Sequence, residues 1–146
     1  MSDTLRRARL LMIDDNPGDV GLFRWALQHA GVDCDLSVIG DGGEALAFVR
    51  HEDDAHQIEI PDLVVLDLNL PKVSGGEILA AMRSTETFST VAVIIWTSSN
   101  AVSDRSQMEA LRIKRYLVKP PEIGGFIELG EFIKQTLEES TGQHNV

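Results

Sequence analysis

Five side chains in this sequence have the types and positions to handle a phosphoryl group: the adjacent carboxylates Asp14 and Asp15, a third carboxylate Asp67, the hydroxyl of Thr97 and the ammonium of Lys119. Each lies at the end of an apolar run: Leu10-Leu11-Met12-Ile13 leads into Asp14 and Asp15, Leu63-Val64-Val65-Leu66 into Asp67, Val91 to Trp96 into Thr97, and Tyr116-Leu117-Val118 into Lys119. In an open parallel α/β sheet the ligand crevice lies beyond the carboxyl ends of the strands, so side chains far apart in sequence can converge there. Three close carboxylates repel one another unless a cation holds them. Mg2+, which takes few carboxylates together with waters and phosphate oxygens, suits this set better than a calcium cage would, and Mn2+ can substitute. Asp67 can then act as a nucleophile and form an aspartyl phosphate. The cation and Lys119 supply positive charge, and Thr97 offers a hydrogen bond to a phosphoryl oxygen.

The elements that must position these groups follow from periodicity. After the first strand, Asn16-Pro17 reads as an N-cap with proline at the first helical position, and Val20, Phe23, Leu27 and Ala30 make one apolar stripe ending at Gly31. A second strand, about 34–39, precedes Asp41-Gly42-Gly43-Glu44, a capping-box pattern, and a helix carrying Ala45, Leu46, Phe48 and Val49. His51 to Glu59 is a polar, acidic loop. The third strand, about 62–67, is apolar on both faces and therefore central. Asn69 to Gly75 is a loop, followed by a helix with Ile78, Leu79 and Met82 inward; the fourth strand is 91–96. Ser103 or Asp104 can cap a fourth helix that carries Met108 and Leu111 ahead of the strand at 115–118. A last helix starts near Pro121 and buries Ile123, Phe126, Ile127, Ile133 and Leu137. Five βα units in alternation imply a five-stranded parallel sheet, doubly wound, with helices on both faces.

Composition narrows the function classes. The 146 residues, 43% hydrophobic, suit one domain over 1–146, with a core at about 8–139 and a polar tail at 140–146. A net charge of -10 repels phosphate backbones and argues against nucleic acid as a partner. The longest apolar run, Val91 to Trp96, is far short of the roughly 20 residues that span a bilayer, so no membrane passage is expected. Arg6-Arg7 resembles the start of a twin-arginine signal, but the apolar run behind it contains Arg9 and ends in Asp14 and Asp15, so a cytoplasmic location is expected. The single cysteine, Cys34, reads as a buried strand thiol in a reducing compartment.

Together the motifs resemble the receiver domain of a two-component response regulator over nearly the whole chain. Asp14-Asp15, Leu66-Asp67-Leu68-Asn69-Leu70-Pro71 with Gly75, Thr97-Ser98-Ser99, and Tyr116-Leu117-Val118-Lys119-Pro120 occur in that family's order. The resemblance implies a flavodoxin-like fold, phosphorylation of Asp67, Mg2+ held by Asp14, Asp15, Asp67 and the backbone carbonyl of Asn69, and Thr97 with Tyr116 as a switch pair. In the family the aromatic side chain turns inward on phosphorylation and reshapes the face made by the fourth helix, fifth strand and fifth helix. A sensor histidine kinase is then the donor, and the product acts on a downstream protein or passes its phosphoryl group to a histidine phosphotransfer protein. A homodimer is compatible with this role. Asn16-Pro17-Gly18-Asp19-Val20, the Asp67 motif and the long 51–59 loop look more narrowly like single-domain regulators that serve phytochrome-type kinases. That loop, Leu111 to Arg115 without the usual glycine, and Pro121 depart from the family pattern.

Other readings compete at single positions. Asp14-Asp15 could be a solvated turn, Asp67 an Asx cap, Lys119 a surface lysine and Tyr116 a half-buried strand residue. Gly40 to Ala45 fits G-x-G-x-x-A, but it follows the second strand and its capping chemistry explains it. His51 and His56 lie among acids and could chelate a metal, but their surroundings read as a solvated loop. Trp25 and Trp96 fit packing or a partner contact equally. Asp67-Leu68-Asn69 faintly resembles haloacid-dehalogenase-type phosphatases, but the nucleophile stands on the wrong strand and Asn69 replaces the second acid. A receiver-like fold that binds partners without phosphorylation is a third class, and the presence of every reacting group weighs against it.

Overall fold

Strands that are apolar on both faces need cover on both faces, and that requirement sets the architecture here. The computed structural model describes residues 7–51, 59–99, 101–119 and 122–142. Among these, β1 (Ala8–Ile13), β2 (Cys34–Ile39), β3 (Leu63–Leu66), β4 (Ala92–Thr97) and β5 (Arg115–Val118) form one parallel sheet. Its order is β2-β1-β3-β4-β5, which puts β3 at the centre as its pattern required. The connecting helices are α1 (Pro17–Ala30), α2 (Gly42–Val49), α3 (Gly75–Ser84), α4 (Val102–Ala110) and α5 (Ile123–Gly142).

Alternation along each strand divides the core in two. Leu10, Met12, Leu63, Val65, Ile94 and Trp96 face α1 and α5, where Phe23, Ala26, Leu27, Phe126, Leu129 and Ile133 meet them. Leu11, Ile13, Val64, Leu66, Val93 and Ile95 face α2, α3 and α4 through Phe48, Ile78, Leu79, Met82 and Met108. Each such side chain taken fully out of water contributes about 2 kcal/mol, so burial on these two faces drives the fold. Gly130 lets α5 lie close to α1, because a Cβ there would come within 2.7 Å of the Ala26 carbonyl oxygen.

Local chemistry sets the helix starts. Asn16 caps α1, its side chain accepting from the Gly18 and Asp19 N–H groups. Asp41 caps α2 by accepting from Gly43 and Glu44. A reciprocal capping box stands at α3, where Ser74 and Glu77 bond each other's backbone, inside and just beyond a segment that the sequence reads only as loop.

Several expectations need correction. α4 starts at Val102 after Ala101, with no side-chain cap, because Asp104 instead accepts the Ser99 hydroxyl. A 3-10 turn, Glu86–Phe88, precedes β4 and was not foreseen. β3 is shorter than 62–67, and β4 is displaced by one residue to include Thr97. Cys34 lies on an edge strand and is half-buried, with burial raising its thiol pKa. Ile123 is 52% exposed, Ile127 and Leu137 are half-buried, and Leu129 takes the inward place between Phe126 and Ile133. α5 continues to Gly142, into the segment expected to be a tail. Expectations that fell on Arg6, on His56 and most of the 51–59 loop, on Pro120 and Pro121, and on residues 143–146 lie outside the described residues. No helix among the described residues is long and apolar enough to cross a membrane.

Candidate functional site

The strand order reverses between β1 and β3, and the register places their ends level: Ile13 pairs with Leu66, and Leu66 with Ile95. Asp14 and Asp67 are therefore adjacent at the carboxyl edge of the sheet, at the switch point where α/β folds hold ligands. The Asp67 N–H donates to the Ile13 carbonyl at 3.0 Å and extends the ladder by one step. Behind Asp67, α3 begins so close that a Cβ on Gly75 would lie 2.3 Å from the Asp67 carbonyl oxygen, so only glycine fits.

The alternation that divides the core also divides the site. Asp14 and Asp67 continue the parity of Met12 and Val65 and lie on the α1/α5 side, as does Lys119 after Leu117. Thr97 and Tyr116 continue the parity of Ile95 and lie on the other side. Asn69 joins the two halves over the sheet edge. Its backbone N–H donates to Asp67 Oδ1 at 3.0 Å, and its side-chain amide donates to Thr97 Oγ1 at 3.2 Å and Ser98 Oγ at 3.1 Å.

On the acidic side, Lys119 Nζ donates to Asp14 Oδ2 at 2.9 Å, Asp67 Oδ2 at 2.9 Å and Asp19 Oδ2 at 2.6 Å. Asp14 and Asp67 are buried, whereas Asp15 is exposed. Burial raises the Asp14 pKa, against the lowering effects of the Asn16 N–H on its Oδ1 and of Lys119. Burial also disfavours charge on Lys119, but its hydrogen bonds to Asp19, Asp14 and Asp67 outweigh this and hold its pKa above the usual lysine value. Ion pairing alone would move the two groups in opposite directions; Asp14 goes up because desolvation dominates at its buried position.

Asp14, Asp15 and Asp67 each offer a carboxylate oxygen, all within 4.8 Å of one another. This small set of hard oxygen donors, of which only Asp15 is exposed, fits a divalent cation such as Mg2+ or Mn2+, which takes few carboxylates and completes its shell with waters and phosphate oxygens.

On the other side, Thr97 is fully buried, and Oγ1 accepts from Asn69 and from the Ser99 N–H at 3.3 Å. Tyr116 is buried too, its hydroxyl donating to the Ser99 carbonyl at 2.9 Å while the Arg105 guanidinium sits 5.5 Å from its ring centre. The ring lies inward.

Every candidate from the sequence thus lies at this edge, divided between its two sides. Three contributors were missed: Asp19, Ser99 and the side chain of Asn69. An acid in the first turn of a helix has a sufficient explanation in the helix dipole, so Asp19 carried no separate signal. His51 leans on Phe88 and pairs with Thr87 Oγ1 at 3.2 Å, and Trp25 stacks on His29 at the surface of α1. Trp96 is core, edge-to-face with Phe126 at 5.2 Å.

Comparison with known proteins agrees with this geometry. The family model for the response regulator receiver domain matches residues 10–129. The response regulator Rcp1 of Synechocystis sp. is 30% identical over 110 residues, 75% of each chain. Among solved structures, the phosphorylated cyanobacterial phytochrome response regulator RcpA superposes with a TM-score of 0.81 at 28% identity, over 89% of this chain and 93% of that one. The Mn(2+)-bound form of Rcp1 gives 0.79 at 27% identity, over 87% and 91%.

Proposed function

The chain belongs to the response regulator receiver domains of two-component signalling, and from that membership we propose that Asp67 accepts a phosphoryl group from a sensor histidine kinase. The observation that carries the reading is the position of Asp67 itself: at the end of the central strand, 2.9 Å from Lys119 Nζ and within a carboxylate cluster able to hold Mg2+.

In this reading Asp14, Asp15 and Asp67 hold the cation, with the Asn69 carbonyl as a further ligand. Once bound, the ion offsets the negative charge of the phosphoryl oxygens. An Asp67 oxygen attacks phosphorus, a C–O–P linkage forms, the P–N bond to the donor imidazole breaks, and the imidazole nitrogen keeps the electron pair and takes a proton from solvent as it leaves. Lys119 stays charged throughout and orients a phosphoryl oxygen. The two bonds at Thr97 Oγ1 use its lone pairs, so its proton remains available for another phosphoryl oxygen. The domain promotes its own phosphorylation and hydrolysis and acts on no other substrate.

The signal then passes from Thr97 to Ser99 and on to Tyr116, since Ser99 contacts both. Through these contacts phosphorylation biases the α4–β5–α5 face between two conformations, with the buried Tyr116 ring as the element that the signal reaches. Similarity to phytochrome response regulators supports a phytochrome-type kinase as donor. The phosphorylated face acts on a downstream protein or passes its phosphoryl group to a histidine phosphotransfer protein; a transfer assay separates the two. Asn69 in the position of a second acid speaks against phosphoester turnover.

The test is incubation with Mg2+ and acetyl phosphate, which should add one acid-stable, base-labile phosphoryl group. Asp67→Asn should abolish labelling, and unchanged labelling in that variant refutes the assignment.

A further inference from the structure

The ammonium of Lys119 has three protons, and each meets a different carboxylate: Asp14, Asp67 and Asp19. Asp14 and Asp67 are also members of the cation cluster, and Asp19 is not. All four oxygens of Asp14 and Asp67 are engaged, with both Oδ2 atoms on Lys119 and the Oδ1 atoms on the N–H groups of Asn16 and Asn69. A cation at Asp14, Asp15 and Asp67 must therefore share two carboxylates with the lysine, and two cations held on the same carboxylates repel.

Resting on the reading of that cluster as the cation site, we propose that Asp19 is a positioning residue for Lys119: it keeps the ammonium at the rim of the site when the cation takes over Asp14 and Asp67, so that the lysine remains within reach of the phosphoryl group. Its contact is the shortest of the three, at 2.6 Å, and its side chain is only 21% exposed. Its place is fixed by the chain. Pro17 starts α1, and the Asn16 side chain accepts from the Asp19 N–H, while the Asn16 N–H donates to Asp14. One residue thus holds both the cation-side acid and the lysine's private anchor in register. Without Asp19 the lysine falls back on Asp14 and Asp67 and competes with the cation for them.

A double-mutant cycle separates this from a distant charge effect. Mg2+ binding is measured by calorimetry for the wild-type chain, Asp19→Asn, Lys119→Gln and the double variant. Asp19→Asn should weaken Mg2+ binding about fivefold or more when Lys119 is present and less than about twofold when it is Gln. In the metal-free protein the Lys119 ammonium protons should exchange faster with water in Asp19→Asn. An equal weakening in both backgrounds, or unchanged proton exchange, overturns the positioning role while leaving the cation site standing. A wild-type chain that does not bind Mg2+ overturns the cation site and this inference with it.

Discussion

At the scale of single residues, the site is an excess of acid around one base. The pKa of Lys119 is raised, so the stability it contributes is fully present below the ordinary lysine value of 10.5 and is lost only as pH rises through its higher folded value. Asp14, also raised, works the other way at neutral pH: its contribution is fully present below 3.8 and is lost as pH rises through its folded value. Lys119 is what makes two buried carboxylates tolerable at pH 7. Lys119→Gln should therefore cost about 3 kcal/mol at pH 7 without metal, because a buried charge without its partner is strongly destabilising. That loss should shrink toward pH 4, where Asp14, its pKa raised by burial, takes up a proton, and Mg2+ should recover part of it at pH 7. Urea unfolding at the two pH values checks this, and an equal loss at both would show that the lysine does not offset those charges. Asp14, Asp15, Asp67, Thr97 and Lys119 were legible because each closes an apolar run, and a polar group at a strand's carboxyl end has few other reasons to be there. Asp19 and Ser99 were not, since their contacts depend on the turn of α1 and the path of the β4–α4 loop, which no periodicity encodes.

At the scale of elements, side chains that tie one element to another matter more than propensity. Arg83, in the last turn of α3, gathers carbonyl oxygens from Leu111 at 2.8 Å, Val91 at 2.9 Å, Phe88 and Arg112 at 3.2 Å and Ser89 at 3.3 Å. It fastens α3 to the end of α4 and to the approach to β4. Arg83→Met should cost about 3 kcal/mol by leaving several carbonyls without a donor, and Arg83→Lys should restore little, because an ammonium lacks the planar fork that reaches them together. Thermal unfolding of the two variants decides; full rescue by lysine would mean that charge alone suffices. Gly75→Ala should cost about 2–3 kcal/mol by overpacking and also blunt labelling of Asp67, whose carbonyl it would strike. Unchanged stability and labelling would show that the α3 start can yield. The strands and α3 were readable from apolar spacing, and α1 and α2 from spacing and caps together. The start of α4 was not, because Asp104 looks like a cap and is spent on Ser99, and the inward face of α5 was misread at Ile123 because the stripe starts only at Phe126.

For the whole molecule, the alternation of five βα units does not by itself give the order of the strands, which only the family resemblance implied; that order is what puts β1 beside β3 and brings the N-terminal acid pair to Asp67. The net charge of -10 adds a general effect to the specific one, since any salt screens self-repulsion and stabilises the fold somewhat. A site-bound cation must do more than that. At a concentration about 100 times its Kd, a ligand that binds only the folded chain adds about 2.7 kcal/mol. For a domain of this size that corresponds to a rise in Tm of about 5–10 °C. Mg2+ should therefore raise the Tm well above the value in NaCl at equal ionic strength. Asp15→Asn is the informative variant: Asp15 is exposed, so its loss should leave the metal-free Tm nearly unchanged while reducing the Mg2+ shift to about half or less at the same concentration. Thermal melts in both salts measure the difference. If NaCl matches Mg2+ in the wild-type chain, the acids at the sheet edge are only part of a diffuse negative surface, and the phosphoryl chemistry assigned to Asp67 loses its cation.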